Sequence, residues 1–513
     1  MVCETKKIDS NVTGCTYAEE ECLKQLPGVG GIDATWFNVE TNSYPDFGAN
    51  ITTKARTPIN PSRQNQKGSV IDLDATGGFN ADFTSTNMLR LAQGFFFADA
   101  RELPSTAGLN TAPISITSID SATSTVVIDA GGSDFITTSL LFCSGFENES
   151  NNGLKTVASS TATTIVLNET LVDETPTSAK IETVGYEFAE DDISLTVVGD
   201  IASLTSTVTD FTTYGFFNGQ WMFLGSDETA KSFVNNKGYA RISEVSENAI
   251  IFDDVTFNPQ TEIGTGLSIR VFVGTTIKNE KLPSLIKRRS YSIERTLGES
   301  PFGQQAEYLQ GAVANDLTLN IPQADFVNVD MSFVAADHVL KTGDVGDELL
   351  AGSRVTAPSE SAYNTSSDVY RIKLAIVDPL NSNPDAAVGY VSEASISITN
   401  GVTPNKAIGV LGSFDTSAGN FTVGGSLTAF FTDVSFVRAI RNNLDFQYST
   451  IFASENSGFI FDMPLLGLSG GSLAVELDAP ITIPVENAAA ENKNGYTLLY
   501  CVFKYLPDIA MPE

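Results

Sequence analysis

Hydrophobic and polar residues alternate with a period of two along much of the chain. The alternation is clear at residues 114–117, 268–272, 395–398 and 421–423. Such alternation indicates β-strands that bury one face. Gly, Asn, Asp and Pro interrupt it at short intervals, and Asn400-Gly401 is typical of a two-residue hairpin turn. The pattern predicts an all-β, chiefly antiparallel fold.

Helical spacing is convincing in one place, at residues 87–97. One face there carries Met88, Leu91, Ala92 and Phe95, and the hydroxyl residues at 84–86 can cap the first turn. We therefore predict a single helix flanking the sheets.

An internal repeat lies in the middle of the chain. Gly145 corresponds to Gly225, 80 positions later (225 minus 145), and Ile165 to Ile250, 85 positions later (250 minus 165). This period matches a small domain rather than a solenoid unit. We predict two sister β domains, residues 113–190 and 191–277.

The charge of the chain is strongly acidic. Asp and Glu total 62 against 30 Lys and Arg, a formal net charge of −32. Phosphate binding derives its free energy from basic side chains, so the general surface does not grip nucleic acid. An apolar run near the roughly 20 residues that span a bilayer is absent from the sequence, and we expect no membrane insertion. The five cysteines lack zinc-site spacing, which favours reduced thiols.

Candidate catalytic and metal-binding chemistry is sparse. His338 is the sole histidine, which removes most Ser-His-Asp and Cys-His mechanisms, and we expect it to be a satisfied residue at a strand end. The pairs Asp72/Asp74, Asp191/Asp192 and Asp253/Asp254 lack the twelve-residue calcium-loop pattern, so solvated turns are favoured. We predict no catalytic residue, no metal and no cofactor.

Three segments resemble the tail tube proteins of long-tailed bacteriophages. They are residues 55–98, 291–338 and 393–505, in the order that the family has. Within the second, residues 292–294 resemble an edge strand bearing a Glu, and residues 317–321 a strand of alternating apolar residues.

The resemblance implies a tail tube sandwich or half-barrel formed by residues 1–112 and 278–513. The two sister domains at 113–277 would interrupt it. Insertion at an exposed loop costs little chain entropy, so we expect the insert to project outward and the tube core to fold without it.

The resemblance also implies a structural function. Such proteins form stacked rings, here expected to be hexameric, that conduct double-stranded DNA from capsid to host. The implied partners are further copies of the chain, the tape measure, tail terminator and distal tail proteins, and DNA passing without specific binding. The implied location is the virion tail, after assembly in the host cytoplasm. An acidic lumen would repel phosphate and let DNA slide.

Six residues are candidate subunit contacts. Lys287, Arg288 and Arg289 form the densest basic run, and such a run fits a neighbour's carboxylates better than DNA in a chain this acidic. Arg56 and Arg63 lie in the long loop before Asp72 and are interpreted in the same way. Phe96 belongs to a Phe triplet that could be buried in the core or contact another subunit.

Two other classes remain open. A surface adhesin or array protein of repeated β-sandwich domains would have a secretion signal and an uninterrupted string of domains. A glycan-active enzyme would need paired carboxylates and several aromatic platforms, and only Trp36 and Trp221 are tryptophans.

Overall fold

The computed structural model describes residues 12–28, 34–59, 64–300, 303–356 and 360–512. The chain forms two compact units. Unit 1 comprises Met1–Phe97, Ile286–Ala362 and Glu393–Ser426, and unit 2 comprises Ala98–Leu285, Tyr363–Ser392 and Leu427–Glu513. Strands predominate throughout the described residues, which confirms the all-β class.

The first part of the chain contains β1 (Gly14–Glu19), β2 (Thr35–Val39), β3 (Ser43–Lys54), β4 (Ser69–Asp82) and α1 (Leu89–Phe96). The middle part contains β5 (Ile116–Asp120), β6 (Thr125–Ile128), β7 (Ser139–Ser144), β8 (Gly153–Ser160), β9 (Thr164–Leu167), β10 (Lys180–Glu187), β11 (Ser194–Val198), β12 (Ile201–Thr205), β13 (Trp221–Leu224), β14 (Gly238–Val245), β15 (Ala249–Val255), β16 (Glu262–Ile263), β17 (Arg270–Val273) and β18 (Thr275–Lys278).

The last part contains β19 (Tyr291–Ser300), β20 (Gly303–Ile321), β21 (Asn328–Ala335), β22 (Asp337–Lys341), β23 (Ser353–Val355), β24 (Val369–Ile376), β25 (Val391–Thr399), β26 (Thr403–Asn405), β27 (Asp415–Ser417), β28 (Thr422–Phe430), α2 (Val434–Arg441), β29 (Phe446–Ser454), β30 (Ser457–Gly470), β31 (Thr482–Ala489) and β32 (Leu499–Phe503).

Unit 1 is built on two sheets that share the long strand β20. Sheet I has the order β23-β2-β1-β19-β20-β22, using the first half of β20. Sheet II has the order β3-β4-β21-β20-β25, using the second half, and β28 lies beside β25. The strand changes sheets near Gly311, whose φ of 63° lies in the left-handed region. A Cβ there would come within 2.9 Å of the Ala336 Cβ, so glycine is required on both counts.

The core of unit 1 is aromatic. The rings of Phe79 and Phe333 stack at 5.8 Å, and Phe95 of α1 packs on Phe333 at 5.4 Å. The predicted helix is confirmed at Leu89–Phe96, but the prediction of a single helix is wrong, since α2 at Val434–Arg441 is a second one. The predicted cap of the first helix is also wrong. Met88 occupies the N-cap position and no side chain caps the helix; the Thr86 hydroxyl donates to Glu360 at 2.6 Å instead.

Unit 2 contains a thirteen-stranded sheet, sheet III, formed by the repeat region. Its order is β16-β11-β12-β15-β14-β13-β17-β10-β7-β8-β9-β6-β5. Read outward from the antiparallel β10/β17 pair, each half runs through equivalent strands of the two sequence copies. The two copies are therefore arranged head to head within one sheet, with approximate two-fold symmetry.

A side-chain clamp occurs at equivalent positions of both copies. In the first, the Glu174 carboxylate accepts bonds from the backbone N–H groups of residues 147 and 148 and from the Asn151 amide at 2.8 Å. In the second, Glu262 accepts from the N–H groups of residues 234 and 235 and from Asn236, also at 2.8 Å. Two clamps of the same design support duplication of one ancestral domain.

Sheet III does not stand apart from the strands that close the chain. Strands β24, β29, β30, β32 and β18 form sheet IV, with β31 beside β30. Trp221, Phe223 and Phe272 of sheet III belong to the same buried cluster as Ile460 and Phe503 of sheet IV. This shared core argues against an insert that folds independently of the closing strands. The predicted bounds 1–112, 113–190, 191–277 and 278–513 stay a prediction.

Two local expectations are also corrected. Asn400-Gly401 does not form a two-residue hairpin, because the next strand, β26, pairs with β27 and not with β25. The buried Asn400 amide instead donates to the carbonyls of Phe95 and Ala314. Residues 292–294 are not at a sheet edge, since β19 has β1 on one side and β20 on the other.

Candidate functional site: the polar face and the arm of unit 1

One face of sheet II is predominantly polar. Asn80 lies opposite Asp330, which in turn lies opposite Thr318, and Thr318 lies opposite Ser397. Directly paired residues of antiparallel strands project to the same face. We call this surface the polar face; it consists of Asp46, Thr76, Asn80, Asp82, Asp316, Thr318, Asn320, Asn328, Asp330, Ser332, Ser395, Ser397, Thr399 and Ser426.

An amide ladder fixes the carboxylates of the polar face. Asp330 accepts one bond from Asn80 and one from Asn320, each 2.8 Å long, so its carboxylate bridges β4 and β20. The Asn42 amide donates to Asp82 at 2.7 Å, and the Thr76 hydroxyl donates to Asp46 at 2.8 Å. None of the residues that form the polar face is basic, so its carboxylates are held by neutral donors and their negative charge is not cancelled locally.

The opposite face of sheet II is the core of unit 1. Phe79, Met331, Leu317, Leu319 and Ile396 alternate with the polar residues and are buried. This strict division fixes the register, because a slip by one residue would bury the carboxylates. The polar face is thus an acidic surface with amide and hydroxyl groups between the charges.

The β3/β4 hairpin forms an arm, residues 47–71, of which the structure describes 47–59 and 64–71. Ile51, Val70 and Ile71 of the arm are each more than half exposed. The arm contains Lys54, Arg56, Arg63 and Lys67 and no Asp or Glu. Lys54, Arg56 and Lys67 are exposed, and Arg63 lies outside the described residues. An acidic chain therefore concentrates basic and apolar side chains on one projecting element.

The family model for phage tail tube proteins matches residues 11–489. The chain belongs to the phage tail tube family. A search of curated proteins finds no match. Family membership assigns a structural role in the virion tail and implies assembly with other tail proteins. The resemblance seen in the sequence is thereby confirmed.

The basic run of this tail tube protein is divided among different environments. Lys287 is exposed. Arg288 pairs with Asp415 at 3.1 Å, and Arg289 is buried beside Glu19 at 3.1 Å. Phe96 is 2% exposed and packs on Phe421 within unit 1. Contacts within the chain thus account for Arg288, Arg289 and Phe96, while a role of any of the six candidates in subunit contacts stays a prediction.

The acidic pairs have three different structures. Asp191 and Asp192 form a turn, as predicted. Asp72 and Asp74 lie in β4, and both bind Lys406 at 2.6 Å. Asp253 and Asp254 lie in β15, and Asp254 is 1% exposed, so the prediction of solvated turns is wrong for these two pairs. Within the described ranges, no group of three or more His, Cys, Asp or Glu side chains could hold a metal ion.

Asp254 belongs to a buried ionic cluster in unit 2. Arg241 donates to Asp253 at 2.7 Å, to Asp462 at 2.8 Å and to the side-chain amide oxygen of Gln447 at 2.7 Å. Arg371 and Lys373 bind Asp254 at 2.9 and 3.1 Å. Burial alone would raise the pKa of Asp254, but these cations hold it below its usual value. The cluster joins sheet III to sheet IV.

His338 lies near the start of β22, where its Nε2 is 3.1 Å from Glu307. This partner confirms the expectation of a satisfied residue near a strand end. Cys15, Cys22, Cys143 and Cys501 are free thiols, and Cys3 lies outside the described residues. No helix in the described part of the chain has the length and apolarity needed to cross a bilayer.

The polar face was not predicted from the sequence, although the alternation of apolar and polar residues indicated it. Residues 316–320 and 328–332 alternate between apolar residues and Asp, Asn, Ser or Thr, without Lys or Arg. Alternation of this kind locates the exposed face of each strand. The pairing of the strands was needed to show that these faces form one surface.

Proposed function

We propose that the chain forms the wall of the phage tail tube as stacked hexameric rings, and that the polar face of sheet II lines the lumen. Sheets of neighbouring subunits would join edge to edge, so that the strand edges that threaten a monomer become the assembly surface. Double-stranded DNA would pass through without specific binding. Subunits would assemble in the host cytoplasm around the tape measure, between the distal tail and terminator proteins.

The observation that carries the proposal is the absence of basic groups from the residues that form the polar face. A basic lining would bind phosphate by releasing counterions and would stall moving DNA. Carboxylates held in place by amides repel phosphate and keep a water layer. Such a surface suits a conduit for DNA, because it offers the phosphates no basic group to bind.

The arm is the proposed contact between rings. Copies that each carry a net charge of −32 repel one another, so contacts between them favour surfaces that are basic or uncharged. Arg56 and Arg63 would meet carboxylates of a neighbouring copy, with Lys287 as a further candidate. Arg288, Arg289 and Phe96 would support these contacts from within the subunit. A catalytic role is not part of the proposal.

Assembly of the purified chain tests the proposal most directly. Concentrated full-length protein should form rings or tubes visible by negative-stain electron microscopy, because family members act as polymers. Light scattering across a range of protein and salt concentrations provides the companion measurement. A species that stays strictly monomeric under all of these conditions would refute the proposal.

The lumen assignment has its own test. Asp316→Lys with Asp330→Lys should leave tubes intact but make them bind double-stranded DNA in a salt-dependent way and slow DNA delivery by assembled virions. The matched control, Asp316→Asn with Asp330→Asn, removes charge without reversing it and should bind DNA far less. If tubes of the Lys variant bound and delivered DNA as the wild type does, the polar face would not line the lumen.

A further inference from the structure

A second surface of unit 1 is apolar and exposed, and it is held beside the arm. The loop that joins β26 to β27, residues 406–414, exposes Ile408 fully and Leu411 and Phe414 by about half (52% and 53%). Between Lys406 and Asp415 the loop has no charged residue. Large apolar side chains grouped on a surface loop mark a site of protein contact.

The loop is anchored at its start and near its end. Lys406 at its start binds Asp72 and Asp74 of β4, both at 2.6 Å. The Ser413 N–H donates to the Ala336 carbonyl at 3.1 Å, and Arg288 binds Asp415 just after the loop. A Cβ on Gly412 would lie 3.5 Å from the Leu73 side chain, so the loop lies against the strand that leads into the arm. Anchoring of this kind lowers the entropy cost of binding.

Charge identifies the occupant. DNA would gain little from binding to an apolar loop, because the affinity of proteins for DNA comes from contacts between phosphates and basic groups. Another copy of a chain with a charge of −32 is repelled by most of this surface, but not by a loop without carboxylates next to an arm without carboxylates.

We propose that the loop 406–414 is a self-association surface that receives a second copy of this chain. It acts together with the arm: the arm contributes salt-sensitive basic contacts and the loop contributes apolar contacts that salt does not weaken. This inference rests on the proposed function, because it names one of the surfaces through which the tube subunits meet. The role of Lys406 is to position the loop against the base of the arm.

The test compares assembly of full-length variants. Leu411→Asp with Phe414→Asp should raise the protein concentration at which half of the chain assembles by about tenfold or more, as expected for loss of central apolar contacts. The control is Val345→Asp, which replaces a fully exposed apolar residue of another unit 1 loop and should assemble like the wild type. Thermal melting of dilute protein should remain cooperative and close to that of the wild type for both variants, since each of these side chains is at least half exposed.

A second readout reports contact directly. An Ile408→Cys chain that also carries Cys3→Ser and Cys22→Ser, labelled at residue 408 with an environment-sensitive dye, should show a blue-shifted emission on assembly, whereas the matching Val345→Cys chain should not. Wild-type tubes together with equal assembly of the Asp variant would overturn the inference and leave the proposed function standing. Failure of the wild type to assemble would overturn both. Variants that assemble normally but lose binding to added double-stranded DNA would reassign the loop to DNA and overturn the inference.

Discussion

Deletion of residues 113–275 with a short linker should abolish soluble folded protein. The deletion would remove Trp221, Phe223 and Phe272, which are buried against Ile460 and Phe503 of sheet IV. Full exposure of an apolar side chain costs about 1.5–3 kcal/mol, so a handful of such residues exceeds the roughly 5–15 kcal/mol that stabilises a typical domain. Soluble yield, circular dichroism and size-exclusion chromatography would measure the loss.

A matched deletion makes this result specific. Replacing residues 55–68 by a short Gly-rich turn removes only exposed or partly exposed positions among the described residues. That variant should remain soluble and melt cooperatively, because loop length changes closure entropy only slightly. If the 113–275 deletion melted cooperatively as well, the shared core of sheets III and IV would not be needed for folding.

The sequence predicted a dispensable insert, whereas the structure has a core shared by sheets III and IV. This difference shows which features can be predicted from a single sequence. Local periodicity located strands such as β25 and the helix α1, and the spacing of Gly145 and Gly225 revealed the repeat. Both depend on neighbours in the chain. Which faces meet across hundreds of residues depends on tertiary packing, and a single sequence does not encode that in any periodic signal.

The same limit explains the misinterpreted polar residues. Asp253 and Asp254 were predicted to form a solvated turn, because carboxylates are rarely buried unless they are paired with cations. Arg241 comes from β14, which pairs with β15, whereas Arg371 and Lys373 come from β24 of sheet IV. Strand pairing and the packing of the two sheets bring these cations within 3.3 Å. Likewise, Asn400-Gly401 has hairpin chemistry, yet the Asn400 side chain is used to satisfy buried carbonyls.

Arg241→Met should destabilise the chain by about 3–5 kcal/mol, the usual cost of removing one partner from a buried ion pair. Asp462 is 0% exposed and would lose its guanidinium partner at 2.8 Å. The control, Lys281→Met, breaks a surface pair with Glu491 and should cost at most about 1 kcal/mol. Urea unfolding at pH 7.5 would measure both values, and a loss below about 1 kcal/mol for Arg241→Met would show that the cluster is not a net support.

The pH dependence of this variant identifies the group responsible. Burial raises the pKa of Asp462 to about 6 in the native state, even with Arg241 opposing the shift. The native state then binds a proton that the unfolded state, with a pKa near 4, does not, so this group makes the chain more stable as pH falls from about 6 towards 4. Without Arg241 the pH range over which stability rises should extend to higher pH, and the destabilisation caused by Arg241→Met should shrink between pH 8 and pH 5.

Asp462→Leu combined with Arg241→Met removes the unpaired carboxylate, and should recover much of the lost stability and abolish this dependence on pH. A double variant as unstable as Arg241→Met alone would assign the loss to Asp253 or to packing instead.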